Sequence, residues 1–400
     1  MASINTINKA VIYSTILDEV IRAGLTSAPL EAQAGSVKYN GGGSCQIAKI
    51  TTGGYGAYDR GSGYPQGAVT QEWETKTITQ DRGIKFTLDV MDEDETANVL
   101  SATNVITQFS KTQAIPELDA YRYSTIFQNI VDDTTVKYGY YTPAAASLLS
   151  TVQGKIADIR DAIGENEPLV IFMSGACFKF ITTSTELQKQ LMVQTSNGAN
   201  GISTKIFSID GVQIIPVPSN RLKTEYAFSA TNSYAAKSYA QDINFIIMSP
   251  NAAVAFVKHN KTRVIGADVN QSADGELVLS RTYHDLWVYD NKKTSIYVSL
   301  KTSTIDDISS LLTAGSGKVT YTLGTAYTNR DTGHEYYYKN TASAAAPTVP
   351  ACYDDFATAG YTKITTASAT DVTVTATHYL VLAHLDENGR VIEFGKKAAS

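Results

Sequence analysis

Cysteine is scarce: Cys45, Cys177 and Cys352 are the only three in 400 residues. Their number is odd and no two stand at CxxC spacing, which fits neither a disulfide framework nor a thiolate zinc site. A reducing compartment is the natural fit. No apolar run approaches the roughly 18 residues that a membrane helix needs. The segment Met1-Ala2-Ser3-Ile4-Asn5 has no basic stretch followed by an apolar one, so no secretory leader is expected. The sequons Asn260-Lys261-Thr262 and Asn270-Gln271-Ser272 then carry no meaning. Basic excess is lacking too. The net charge is -6 and the pI about 5.5, so there is no bulk pull toward nucleic acid or anionic lipid. Any contact with DNA must be local or weak.

Catalytic patterns are also missing. The five histidines are His259, His284, His334, His378 and His384, and none forms HExxH or another i, i+4 ligand pair. His378 and His384 lie six apart in an expected strand and can share a face, but two histidines alone make a weak site. No Gly-x-Ser-x-Gly elbow occurs. Gly315-Ser316-Gly317-Lys318-Val319 imitates a phosphate loop, yet Leu312 replaces the required first glycine and Val319 the magnesium-holding Ser or Thr. The acidic run Asp92-Glu93-Asp94-Glu95 lacks the spacing of a calcium loop and reads as helix-start charge. A spatial triad leaves no such trace, so these absences lower the expectation of an enzyme without excluding it. No catalytic, cofactor or metal residue is expected.

What is present is a folded composition, with 43% hydrophobic and 18% charged residues, and 24 Tyr against 12 Phe and 2 Trp. Tyrosine at this frequency fits either interface building or plain strand propensity. Ile7, Val11, Leu17 and Ile21 at helical spacing predict a terminal helix over 1–28. Residues 35–68 hold Gly41-Gly42-Gly43, Gly53-Gly54-Tyr55-Gly56 and Gly61-Ser62-Gly63, and read as a long extended loop of functional type. Residues 69–91 predict a hairpin turning at Asp81-Arg82-Gly83, with Ile84, Phe86, Leu88 and Val90 on one buried face. A helical region follows over 92–131, kinked or split at Pro116. Helices and apolar strands alternate over 146–302, including Leu169–Met173, Ile214–Val217 and Phe245–Met248. Short β-like runs fill 310–400, where Asp386-Glu387-Asn388-Gly389 marks another hairpin. Together these predict an α+β fold with a separate C-terminal β domain.

One stretch carries a specific pattern: Trp73-Glu74-x-Lys76-Thr77-Ile78-Thr79-Gln80-Asp81-Arg82-Gly83, Phe86-x-Leu88-Asp89-x-Met91-Asp92, and Ile115-Pro116-Glu117-Leu118-Asp119-Ala120-Tyr121-Arg122. It resembles the major capsid proteins of tailed bacteriophages with the HK97-type fold, of the kind found in Gram-positive phages and prophages. The resemblance is specific over 73–127 and diffuse over 146–302. It implies an N-terminal arm (1–35), an E-loop (36–80), a P-domain with its spine helix (81–145 and 260–284) and an A-domain (146–259 and 285–302). An appended small β domain (303–400) is expected to project as a decoration. The implied function is a head protein that forms pentamers and hexamers of an icosahedral shell around double-stranded DNA. Implied partners are further copies of the chain, a portal, a separate scaffolding protein and, weakly and non-specifically, the packaged DNA, with no membrane. The implied location is the virion, assembled in the bacterial cytoplasm. Tyr55, Tyr58, Tyr64, Trp73 and Arg82 are the candidate contacts between subunits, and Trp73 has the rival reading of filling its own core. The lysine and asparagine that cross-link some relatives have no match here, so no cross-link is expected. The alternatives are an encapsulin-like compartment or another phage structural protein such as a tail subunit.

Overall fold

The computed structural model describes residues 24–31, 37–41, 43–61, 63–89, 91, 101–131, 138–184, 208–228, 234–267, 269–270, 274–302 and 304–400. Most of the helix expected over 1–28, the acidic run 92–95 and residues 185–194 of another expected helix lie outside them. The described residues fall into two compact units. The first draws on Met1–Lys137, Pro143–Ala235 and Ile243–Val298, and the second on Tyr138–Thr142, Ala236–Asp242 and Ser299–Ser400.

In the first unit, strands β1 (Lys38–Gly41), β2 (Ser44–Thr52) and β3 (Val69–Thr77) form an antiparallel sheet in that order. The glycine-rich stretch is therefore strand at its start and loop only over 53–68. In β2, Cys45 and Ile47 alternate inward, and that apolar anchor holds the strand despite the glycines beside it. Strand β4 (Gln80–Asp89) follows after Ile78 and Thr79. The expected hairpin has its strands but not its pairing. β3 pairs with β2, from Ser44↔Thr77 to Thr52↔Val69. β4 pairs instead with β9 (Gly275–Val288), from Asp89↔Gly275 to Gln80↔His284. The Asp-Arg-Gly triplet lies inside β4, so the change of direction falls at Ile78-Thr79. Strand β8 (Ala253–Ile265) completes the sheet β8-β9-β4.

Helix α1 (Ala102–Phe109), a π-helical turn (Ser110–Ala114) and α2 (Ile115–Val131) run on without a break. The wide turn sits just before Pro116. It carries the backbone past a residue that has no N–H and crowds the carbonyl four residues back. Ala102, Ile106, Ile115 and Leu118 pack on Phe86, Leu88, Val264 and Val278. One face of β8-β9-β4 is thereby covered, at about 1.5–3 kcal/mol per large apolar side chain buried.

The other main sheet of this unit is mostly apolar at its centre. β5 (Val170–Ser174) and β7 (Ile243–Met248) are buried at every residue. They stand in the order β10-β7-β5-β6, with β6 (Val212–Val217) parallel to β5 and β10 (Ile296–Leu300) outside β7. Helix α3 (Leu148–Ile163) buries Leu148, Leu149, Val152, Ile156 and Ile159, and α4 (Gly175–Thr182) is capped by the Ser174 hydroxyl.

The second unit holds two small sheets. β11 (Leu312–Gly315), β12 (Lys318–Tyr321) and β14 (Thr370–Thr373) form one, and β13 (Glu335–Asn340), β15 (Tyr379–Leu385) and β16 (Val391–Ala398) the core of the other. Val319, Tyr321, Tyr336, Leu380 and Leu382 pack between them. The phosphate-loop look-alike is the tight turn from β11 to β12, with Gly317 at φ +65°. The expected turn at 386–389 joins β15 to β16, with Gly389 at φ +79°. The segments 138–142 and 236–242 are stitched into this unit. Tyr138 donates its hydroxyl to the Tyr353 carbonyl at 2.8 Å, and Gln241 donates to the Thr304 carbonyl at 3.1 Å.

Candidate assembly surfaces

The hairpin β2–β3 carries large apolar side chains among the polar ones on its exposed outer half. Its base is rooted in a core of Val37, Cys45, Ile47, Ile78, Phe256 and Trp287. Past Ile47 the burial ends, and Ile50 and Val69 stand exposed on the outer half. The connecting loop adds Tyr55, Tyr58 and Tyr64, all exposed, with the rings of Tyr58 and Tyr64 edge-to-face at 5.0 Å. The Asp59 carboxylate accepts the Gly61 N–H at 2.9 Å, and Asp59 bridges to Gly63, whose φ is +84°. The loop thus has a local turn of its own. Trp73 lies on β3 opposite Ala48 and is 47% exposed, with the Lys38 ammonium 5.3 Å from its ring. Within this unit it fills no core.

The root of the hairpin is rigid. Tyr283 donates its hydroxyl to the Ile78 carbonyl at 3.1 Å, and the Thr79 N–H donates to Asp285 at 2.9 Å. Tyr121, from α2, donates to the same carboxylate at 2.5 Å. Burial and the Asp285 charge push the Tyr121 hydroxyl well above its ordinary value, so it remains a donor. Burial, with Arg122 and Arg82 nearby, pushes His284 down to about 3, so it is a neutral core residue.

Arg82 points the other way from the tip. It sits on the helix-covered side of β4 and donates to Glu117 of α2 at 2.5 Å. Of the five sequence candidates, Tyr55, Tyr58, Tyr64 and Trp73 are thus gathered on the hairpin and its loop, whereas Arg82 has a partner within the unit. Composition and spacing gave no sign of the buried network behind it. Asp119 accepts from the N–H and hydroxyl of both Thr26 and Ser27, at 2.7–3.2 Å, and from Arg221 at 3.2 Å. Arg122 donates to Ser27 at 3.0 Å and to Glu31 at 2.7 Å. Both residues fall in the Ile115–Arg122 segment, and their work is to tie residues 26–31 onto α2.

The histidines do not converge on one site. His259 and His284 are in β8 and β9, while in the second unit the His334 and His384 rings lie 5.2 Å apart, tilted at 59°, and it is Tyr336 that stacks on His384. His384 hydrogen-bonds Glu393 at 2.7 Å, and His378 bonds the Thr341 carbonyl at 3.1 Å. Among the described residues, no helix is long and apolar enough to cross a membrane.

No protein-family model matches the chain, and no curated protein does. Solved structures do match. One from Mycobacterium phage Che8 is 16% identical, with TM-score 0.45, over 70% of this chain and 92% of the other. The capsid structure of cyanophage P-SCSP1u is 12% identical, with TM-score 0.49, over 66% and 84%. A virus-like particle from Pyrococcus furiosus is 11% identical, with TM-score 0.40, over 71% and 96%.

Proposed function

We propose that the chain is the major capsid subunit of a tailed bacteriophage, a shell-building protein with a structural role and no catalytic one. The observation that carries this reading is the β2–β3 hairpin. An arm whose outer half exposes Ile50, Val69, Trp73 and three tyrosines, on a latched and buried root, is built to be covered by another molecule. The resemblance over Trp73–Arg122 supports the choice of that molecule, a neighbouring copy. The family's parts are assigned as the resemblance implies: arm at 1–35, E-loop at 36–80, P-domain at 81–145 and 260–284, A-domain at 146–259 and 285–302, and a decoration at 303–400. Tyr55, Tyr58, Tyr64 and Trp73 make the contacts between copies, and Arg82 braces β4 from inside. The copies associate as pentamers and hexamers and close around double-stranded DNA, with a portal at one vertex and a separate scaffolding protein during assembly. Assembly takes place in the bacterial cytoplasm and the protein ends in the virion.

Negative-stain electron microscopy of the purified chain, alone and with its scaffold, tests this. Closed icosahedral shells or isolated rings of five and six are expected. A monomer under every assembly condition, or long tubes, would overturn it.

A further inference from the structure

Each strand of β8-β9-β4 turns alternate residues to opposite sides. One side carries Phe86, Leu88, Val264 and Val278 and is covered by α1 and α2. The register places Lys85, Lys261, Arg263 and Arg281 together on the other side, all exposed. Lys261, Arg281 and Gly83 form one row across the sheet, and Arg263, Leu279 and Lys85 the next. Gly83 contributes no side chain to its row, which leaves a groove there between the cations. One carboxylate, Asp81, lies at the groove and is paired with Arg281. Lys85, Lys261 and Arg263 make no ion pair with any described residue. In a chain of net charge -6, this is a local reversal of sign across one flat face.

We propose that this face binds the phosphate backbone of double-stranded DNA. The proposal rests on the shell reading and deepens it, because it names the surface of the subunit that meets the packaged duplex. The chemistry is that of backbone contact. Lys261 and Arg263, two residues apart on one strand, are ~6.7 Å apart along it, and neighbouring strands ~4.8 Å apart, so three cations face a short run of phosphates. No aromatic ring stands in the two cationic rows, so they offer no platform for unpaired bases. Lysine and arginine on a flat sheet neutralise phosphates without entering a groove, so binding is independent of sequence. The rival occupant is an acidic surface of a second copy.

The test uses the full chain and a fluorescent 30-base-pair duplex, with binding followed by anisotropy from 50 to 200 mM salt. The expected log–log slope is about -3, one unit per phosphate contacted. The triple variant Lys85→Gln, Lys261→Gln, Arg263→Gln is expected to bind at least about tenfold more weakly and with a flatter slope. Lys363→Gln, in the second unit, is expected to bind as the parent does. Unaltered melting of the triple variant checks its fold. Absence of duplex binding by the parent chain overturns the proposal. So does equal binding by the triple variant, and if that variant also loses self-association in sedimentation, the face docks a second copy instead. Electron microscopy of the same samples separates the two readings: DNA binding lost in the variant, with no shells from the parent, sinks the shell and leaves the face standing.

Discussion

Asp119 is fully buried and accepts five hydrogen bonds, one of them from Arg221. Asp119→Ala leaves the partly buried Arg221 guanidinium and the N–H and hydroxyl groups of Thr26 and Ser27 without their acceptor, so a loss of about 3–5 kcal/mol is expected in urea unfolding. A loss under 1 kcal/mol would show that the network is dispensable. In the second unit, burial first and then the neighbouring His384 hold His334 down to about 4. Its unfolded value is near 6.5, so between the two values the unfolded chain binds the extra proton. The resulting stability is complete above pH 6.5 and is lost as pH falls toward 4, at most about 3 kcal/mol for this one group. Thermal melts at pH 7 and 4.5 are expected to differ less for His334→Gln than for the parent, and an unchanged difference would refute the assignment. His284 acts in the same direction in the first unit. Neither effect was readable beforehand, because a histidine's burial depends on what the rest of the chain brings over it.

Elements were legible where the cause is local. The alternation of Ile84, Phe86 and Leu88 gave β4, and Asp386 to Gly389 gave the β15–β16 turn, because side-chain period and glycine φ are properties of a few neighbouring residues. The partner of β4 was not legible, since β9 lies about 200 residues further on and pairing is settled by the sheet as a whole. The fit at that junction is close. A Cβ on Gly275 would lie 2.1 Å from the Leu88 carbonyl oxygen, so Gly275→Ala is expected to push β9 from β4 at a cost of about 1–3 kcal/mol. Hydrogen exchange at residues 80–89 would report it. The hairpin behaves oppositely at its two ends. Tyr55→Ala and Tyr64→Ala are expected to change melting by no more than about 0.5 kcal/mol, because these rings bury little in the single chain. The same variants are expected to raise the concentration needed for assembly, read by light scattering. Unimpaired assembly of both would remove the hairpin from the contact. The three tyrosine candidates stood among glycines in the sequence and Trp73 at the head of the stretch that carries the resemblance, whereas the ion pair of Arg82 needed the helix that covers it.

At the scale of the whole molecule, the second unit is not a simple tail. It takes in 138–142 and 236–242, where Lys237 pairs with Asp331 and Tyr138 reaches the Tyr353 carbonyl. A chain ending at Thr302 would leave those two inner segments without partners, and is expected to be insoluble. A soluble, monodisperse product would show that they stand alone. The composition change near residue 310 marked the bulk of this unit, but nothing in the two inner segments announced that they belong to it. The joint at Ile78-Thr79 governs how the arm carries load. Its backbone is pinned by Tyr283 and Asp285, and a methyl on Gly43 (φ +85°) would sit 2.8 Å from the Tyr283 hydroxyl. Gly43 therefore serves tight fit at the root, whereas Gly54, Gly63 and Gly67 in the connecting loop have open space around them. Mechanically the arm is a lever clamped at its root. A load on its outer half is carried through the clamp to β9 as a torque.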